Sequence, residues 1–506
     1  MSARWGGLSL ALLGLAGCAN PPAAVSDAAR QPAIVAQRFE GASSGALAAA
    51  QTASAPGAGL QDPKAAEAPD LNWDRVFTDA RLQALIRLAL QHNRDLRVAA
   101  LNVEQARAQA AIREADLWPT VNAGVSGSRV PTNTGGVSTT VIGGLSTTAY
   151  EVDLFGRVRQ QSRAAQEQWR ASVYLQSAAR SSLIAAVAAA YVNVRADEAL
   201  LRITQETVRS REEGLAVVQG RIKAGAGSAL DEAQAQGLLQ SARAALAQVQ
   251  RQKALDESTL TVLVGTPLPT ETAANTGTVT APEDSRTDAP GSRAGDWPGL
   301  LATPVPPLRT GLPSEVLTRR PDIRAAEAQL LASQANLDAA RRALFPRITL
   351  TASFGQASRE LSSLFAGGTW VWGVAPQLLA PIFDAGRLKA GVAQADAAQQ
   401  AALAQYEKAL QVAFKEVHDA LAASATLAQQ VQALDAQVQA ESRRLDLAHT
   451  RWRLGASAYL EVLDAQRSLY TAQTTLIQTQ AQWLNSRGTL YKVLGGGAPA
   501  VEPSRP

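Results

Sequence analysis

A chain of 506 residues with aromatics at 5% and charged residues at 18% suits long helices packed through small side chains better than a compact enzyme. Its net charge of +4 comes from scattered arginines with no dense basic block, which argues against a nucleic-acid partner. A single cysteine excludes any intrachain disulfide.

Residues 1–17 read as a signal peptide, with Arg4 as a thin positive region and Leu8 to Leu15 as a short apolar run. That run is too short to span a bilayer as a stable helix. Cys18, directly after Leu15-Ala16-Gly17, looks like the lipobox of a bacterial lipoprotein, where cysteine carries S-diacylglycerol and an N-palmitoyl chain. Asn20 is not the aspartate that retains lipoproteins at the inner membrane, so the outer membrane is favoured. Residues 18–72 then read as a low-complexity tether from lipid to folded body.

Residues 73–266 and 314–497 read as two copies of one unit. Asp95 and Asp322 stand 227 apart, as do Trp118-Pro119 and Phe345-Pro346. Beyond a loop of variable length the offset becomes 230, linking Gly156-Arg157 to Gly386-Arg387, Gly225 to Gly455, Leu230 to Leu460, and Gly265 to Gly495. Units this long are not solenoid repeats, so they indicate a duplicated domain. Residues 267–313 form a linker between them, rich in Pro, Gly, Thr and Asp, and 498–506 a tail.

Each unit opens with a predicted helix, Asp79 to Leu117 or Ser314 to Leu344, ended by Pro119 or Pro346. Two strands follow: Thr120 to Arg129 with Val137 to Leu154, then Arg347 to Gln356 with Thr369 to Phe383. Val121, Ala123 and Val125 alternate with Asn122, Gly124 and Ser126; Ile348, Leu350 and Ala352 alternate with Thr349, Thr351 and Ser353. Period-two alternation fits lipid outside and water inside a barrel. Trp118, Tyr150, Phe155, Phe345, Trp370, Trp372 and Phe383 cluster at or near strand ends, as an aromatic girdle does. Four strands cannot close a barrel, and an open edge in lipid is untenable. Two chains would give eight strands and three would give twelve; a conducting pore favours three.

Long helices come next, Arg157 to Lys223 and Arg387 to Arg453, each extending about 100 Å. Val187, Val194, Leu201, Val208, Leu215 and Ile222 recur every seventh residue, and Val417 to Trp452 hold the same phase. That spacing keeps one seam facing a partner helix. Leu183 to Val194 is the most apolar stretch after the signal, too short to span a bilayer, and reads as buried seam. Turns at Gly225 and Gly455 reverse the chain into last helices, Ala229 to Val264 and Ala458 to Leu494.

Together these features resemble the outer membrane factor family, the TolC-like, OprM- and NodT-type lipoproteins of efflux pumps. The carrying segments are Gly311-Leu312-Pro313-Ser314 with Arg319-Arg320-Pro321-Asp322-Ile323-Arg324-Ala325-Ala326-Glu327, Tyr150 to Arg157, and Tyr459 to Gln466. The resemblance runs from about Trp73 to Gly497. It implies an α+β membrane protein with two structural repeats per chain: a homotrimeric twelve-stranded transmembrane β-barrel continued by a long periplasmic α-helical barrel. It implies further a passive conduit that docks a periplasmic adaptor and an inner-membrane pump of RND type. A protein-secretion duct shares this architecture, and a non-spanning coiled-coil scaffold lipoprotein is the alternative from another class.

No catalytic constellation, phosphate-cradling glycine loop or metal motif is present in the sequence, so neither enzymatic activity nor a cofactor is expected. His92, His418 and His449 are far apart and read as helix surface. The resemblance makes Leu460 and Asp464, one turn apart on one face, constriction rings of a closed aperture, with Arg453 as the lock that ties neighbouring coils. Their first-repeat equivalents are Leu230, Gln234 and Lys223. Gly225, Ala226 and Gly227, with Gly455, Ala456 and Ser457, form the expected adaptor-docking tips, where small residues admit a partner backbone. Read plainly, the glycines only end helices.

Overall fold

The computed structural model describes residues 72–131, 135–225, 227–268, 320–364 and 369–496. Cys18, the signal peptide, the linker beyond 268, residues 314–319, the tail from 497 and Ala226 lie outside them. The described elements are α1 (Trp73–Val76), α2 (Ala80–His92), α3 (Arg94–Ala115), β1 (Asn122–Pro131), β2 (Val137–Glu151), α4 (Arg157–Lys223), α5 (Ala229–Val264), α6 (Pro321–Arg342), β3 (Arg347–Ser358), β4 (Thr369–Leu379), α7 (Arg387–Arg453) and α8 (Tyr459–Val493).

One expectation fails early. The helix expected from Asp79 to Leu117 is two helices, broken at Asn93, whose backbone is extended. The Asn93 side chain explains the break: it accepts from the Leu96 amide at 2.8 Å, capping α3, and donates to the Leu263 carbonyl at 2.9 Å. In the second repeat Arg320 holds the same place with extended backbone, Pro321 starts α6, and Arg320 Nη1 donates to the Val493 carbonyl at 3.2 Å. Leu263 and Val493 are themselves repeat equivalents. The joint is therefore conserved between halves although its chemistry is not. Replacing buried Asn93 with Ala should lower stability by about 1–2 kcal/mol, and Asn93→Asp, which keeps the cap but sets an acceptor against the Leu263 carbonyl, should cost at least as much. Thermal unfolding of the detergent-solubilised protein reads this out.

The four strands form one antiparallel sheet in the order β1-β2-β3-β4. Its register carries the alternation from strand to strand. Val125 faces Gly143, Leu145 faces Phe354, Phe354 faces Trp372, and Ala352 faces Val374, all on one face. Ser126, Ser146, Ser353, Thr351, Gly373 and Ala375 share the other. A bulge between Thr147 and Tyr150, with Ala149 at φ 52°, adds one residue to β2 and puts Tyr150 opposite Leu350, back on the apolar face. At the paired Gly144 and Gly355 a Cβ would strike the opposite strand's backbone, so the sheet is creased toward its polar face. Among the described residues, strands β1 and β4 remain unpaired on their outer sides.

At the junction below the sheet, Gly156 and Gly386 take left-handed backbone before α4 and α7 and bring no cap of their own. Nearby aspartates supply one. Asp153 accepts from the amides of Val158 (3.1 Å) and Arg159 (2.9 Å), and Asp384 from those of Gly386 (3.0 Å) and Leu388 (2.8 Å). Burial pushes the Asp153 carboxyl up, but those amides and the Arg159 side chain outweigh it and hold the group low. Phe155 stacks on Phe345 at 5.0 Å, and Arg157 grips Glu151 through two bonds of 2.9 and 2.6 Å.

Helices α4 and α7 both run 67 residues, as the sequence predicts, and fold back against α5 and α8. Helix α4 includes a stretch apolar enough to cross a membrane by length and composition. It is packed instead: Leu183, Ile184, Val187, Tyr191 and Val194 lie in the main core with Phe77, Leu82, Ile86, Val264, Ile477 and Tyr491. The longest buried seam on α4 differs from the apolar heptad. It runs through Leu183, Ala190, Asp197, Thr204, Arg211 and Val218, all buried, while Leu201, Val208, Leu215 and Ile222 are only half-buried.

Candidate functional site

The two hairpin tips lie about 100 Å along the long helices from the sheet, where α4 turns into α5 and α7 into α8. Both turns need a left-handed residue, and Gly225 (φ 77°) and Gly455 (φ 73°) supply it. At the second tip the Gly455 amide bonds the Trp452 carbonyl at 3.0 Å and the Ala456 amide the Arg451 carbonyl at 2.9 Å, a full Schellman closure. The first tip makes the matching Gly225-to-Ile222 bond at 2.9 Å. A Cβ on Gly227 would meet Ile222, and the equivalent Ser457 has a buried hydroxyl with no partner among the described residues. Ser228 caps α5 by accepting from the Leu230 amide at 3.1 Å.

A small core stiffens the second tip. Val218, Ala448, Tyr459, Val462, Leu463 and Ala465 are buried together, with Trp452 against Tyr459 at 4.9 Å and the Arg221 guanidinium 5.7 Å above Trp452. Burial raises the Tyr459 hydroxyl above its ordinary pKa, and that hydroxyl lies where a side chain on Gly214 would have to go. Arg451 and Glu461 bridge α7 to α8 at 2.8 Å.

Leu460 is 53% exposed and Leu230, its equivalent, 65%, so each tip presents a leucine to its surroundings. Asp464 stands half-buried one turn beyond Leu460. The structure gives it two partners that the sequence reading did not name. Arg444 Nη2 donates to Oδ2 at 2.6 Å and Arg467 donates to Oδ1. The Arg444 bond is the main reason the Asp464 carboxyl sits below its usual range, and Arg467 adds to it. Arg444 also reaches Glu441 and Ser468, each at 3.2 Å. Arg453, exposed at the last position of α7, is not brought to Asp464 within the chain. A signal for both partners exists: Arg467 follows Asp464 by three residues, and Arg444 and Asp464 are nearly equidistant from Gly455, so an antiparallel hairpin must align them. The first-repeat equivalents of Arg444, Asp464 and Arg467 are Gly214, Gln234 and Gly237, so this charged cluster belongs to one tip only.

A sheet with one apolar and one polar face, set on helical hairpins about 100 Å long, defines an α+β membrane-channel subunit. The chain belongs to the outer membrane efflux protein family, whose model matches residues 85–266 and 312–496. It is 42% identical over 437 residues to the toluene efflux pump outer membrane protein TtgC of Pseudomonas putida, covering 85% of this chain and 86% of that protein. It is 39% identical over 434 residues to the outer membrane protein OprJ of Pseudomonas aeruginosa, covering 84% of this chain and 86% of that one. The open-state crystal structure of the Neisseria gonorrhoeae MtrE outer membrane channel superposes with a TM-score of 0.73 at 38% identity, covering 87% of this chain and 94% of that one. The protein is accordingly an efflux channel of the outer membrane that extends into the periplasm.

Proposed function

We propose that three copies of this chain close a twelve-stranded barrel over a twelve-helix tunnel, a passive conduit without catalysis of its own. The observation that carries this reading is the four-stranded sheet with two unpaired edges, because β1 of one copy and β4 of the next can satisfy each other in lipid. Two chains would close eight strands, whose interior side chains nearly fill. A diacylglycerol and palmitoyl anchor on Cys18 adds a second hold on the outer membrane. The tips around Gly225 and Gly227, and around Gly455, Ala456 and Ser457, dock a periplasmic adaptor that links the conduit to an inner-membrane pump of RND type. Their small residues support close backbone approach. The relatives' names point to organic solvents and antibiotics as the class of cargo.

The second tip acts as the gate in this reading. Leu460 and Asp464 form rings around the axis, and Arg453, which has no ion pair within its own chain among the described residues, reaches a neighbouring coil. Recording in planar bilayers tests both levels. Wild-type protein should form discrete low-conductance channels, and Asp464→Ala with Arg453→Ala should raise single-channel conductance several-fold. A protein that never conducts sinks the conduit; channels that the double substitution leaves unchanged sink only the gate.

A further inference from the structure

The polar seam of α4 contains a pair that the channel reading does not use. Asp197 on α4 is 6% exposed, and its Oδ2 has no hydrogen-bond donor among the described residues. Opposite it on the facing helix α5, at nearly the same number of residues from the Gly225 turn, is another carboxylate, the half-buried Asp256. Two carboxylates are both acceptors, so they cannot bond each other unless one carries a proton. The surroundings do not supply a full counter-charge. Lys253 on α5 divides itself between Glu198 at 3.8 Å and Glu257 at 3.5 Å, and Arg195 is taken by Glu198 at 2.7 Å. Helix α8, packed on the other side of α4, carries no charged residue between Arg467 and Arg487. From the start of α2, its cap Asp79 and Arg81 act on Tyr191, more than a turn away along α4. Helices α3 and α6 also pack on α4; where α6 meets it, Arg324 lies over Tyr174, several turns nearer the sheet.

We propose that Asp197 and Asp256 share one proton and form a pH-sensitive clasp between α4 and α5, which loosens when the proton leaves. Burial, followed by the bond to Asp256 and its charge, pushes the Asp197 carboxyl up to about 7, against a smaller opposing pull from Lys253. The sign follows directly. As pH rises from the ordinary carboxyl range toward that value, the unfolded chain loses its proton first and the folded chain loses stability; above it the loss is complete. The second repeat has Leu427 and Ser486 at the equivalent positions, so the device belongs to the first hairpin alone. It sits about 40 Å up α4 from the tip, so it acts on the root of that hairpin and not on its turn.

Infrared titration of the full-length wild-type protein tests this without any variant. At about pH 6.5, where ordinary carboxyls are ionised, one protonated-carboxyl band should persist and then disappear by about pH 8. Asp197→Asn should abolish that band and, by donating its amide to Asp256 at every pH, should flatten the melting profile. Between about pH 5 and pH 7 the folding constant of Asp197→Asn relative to wild type should rise by up to about tenfold per pH unit. Asp256→Asn should do the same and serves if Asp197→Asn does not fold. Absence of a protonated carboxyl in the wild type at about pH 6.5 overturns the proposal, as do parallel melting profiles for wild type and both variants.

Discussion

Lysine at Val374 is expected to cost roughly 2–4 kcal/mol of folding stability in lipid, while lysine at the next residue, Ala375, should cost under about 1 kcal/mol. The two positions are neighbours at the middle of β4, Val374 being its central residue, and both are exposed in the single chain. They differ in face. Val374 pairs with Ala352 in the row that includes Phe354 and Trp372, and Ala375 pairs with Thr351 in the row of Ser353 and Gly373. A charge on the first row must be buried in hydrocarbon or drag water in with it; a charge on the second meets the lumen. Urea titration of protein folded into phospholipid vesicles gives the two values. Reversed costs would mean that the faces are wrongly assigned; equal and negligible costs would mean that the sheet is not in lipid at all. The non-spanning scaffold anticipates the second result.

How much of this was legible beforehand depended on whether the determining contact was local. Strand alternation and helix lengths are local periodicities, and the ends of α4, α5 and α7 fall where Gly156, Gly265, Gly386 and the two tip glycines put them. The break at Asn93 was not legible, because a helical pattern runs straight through it and its cause is the Leu263 carbonyl, 170 residues away. The deep seam on α4 was missed because a search for apolar heptads favours Leu201 and Val208 over Asp197, Thr204 and Arg211. Two of those polar residues are buried with specific partners: Thr204 bonds the Tyr470 hydroxyl at 3.0 Å and Arg211 donates to the Leu238 carbonyl at 2.6 Å. Hydrophobicity alone cannot foresee such bonds. At the tip, the resemblance pointed to Arg453, whereas pairing across the hairpin selects Arg444 as the intrachain partner of Asp464.

Arg320→Ala should lower stability by about 2–3 kcal/mol, more than the equivalent change at Asn93. Arg320 is 4% exposed and joins three elements. It donates to both oxygens of Asp322 (3.1 and 2.7 Å), to Glu416 on α7 (2.6 Å) and to the Val493 carbonyl ending α8. Removing it orphans that carbonyl and leaves two carboxylates without their shared cation. The carboxylates are partly open to water, which keeps the cost at the lower end of the range for truncating one partner of a buried charge pair. Burial alone would raise the Asp322 carboxyl, but the Arg320 bonds outweigh it and hold the group low. Its stabilising share is therefore present above the ordinary carboxyl range and lost as pH falls through the lowered folded value. Unfolding of wild type and variant across that acidic window should show the gap narrowing as pH drops. Arg320→Lys should recover only part, since an ammonium cannot span Asp322, Glu416 and Val493 with a rigid fork. If Arg320→Ala unfolds like wild type, or the gap is the same in acid, the residue is a packing element and not the charged pin of the joint between α6, α7 and α8.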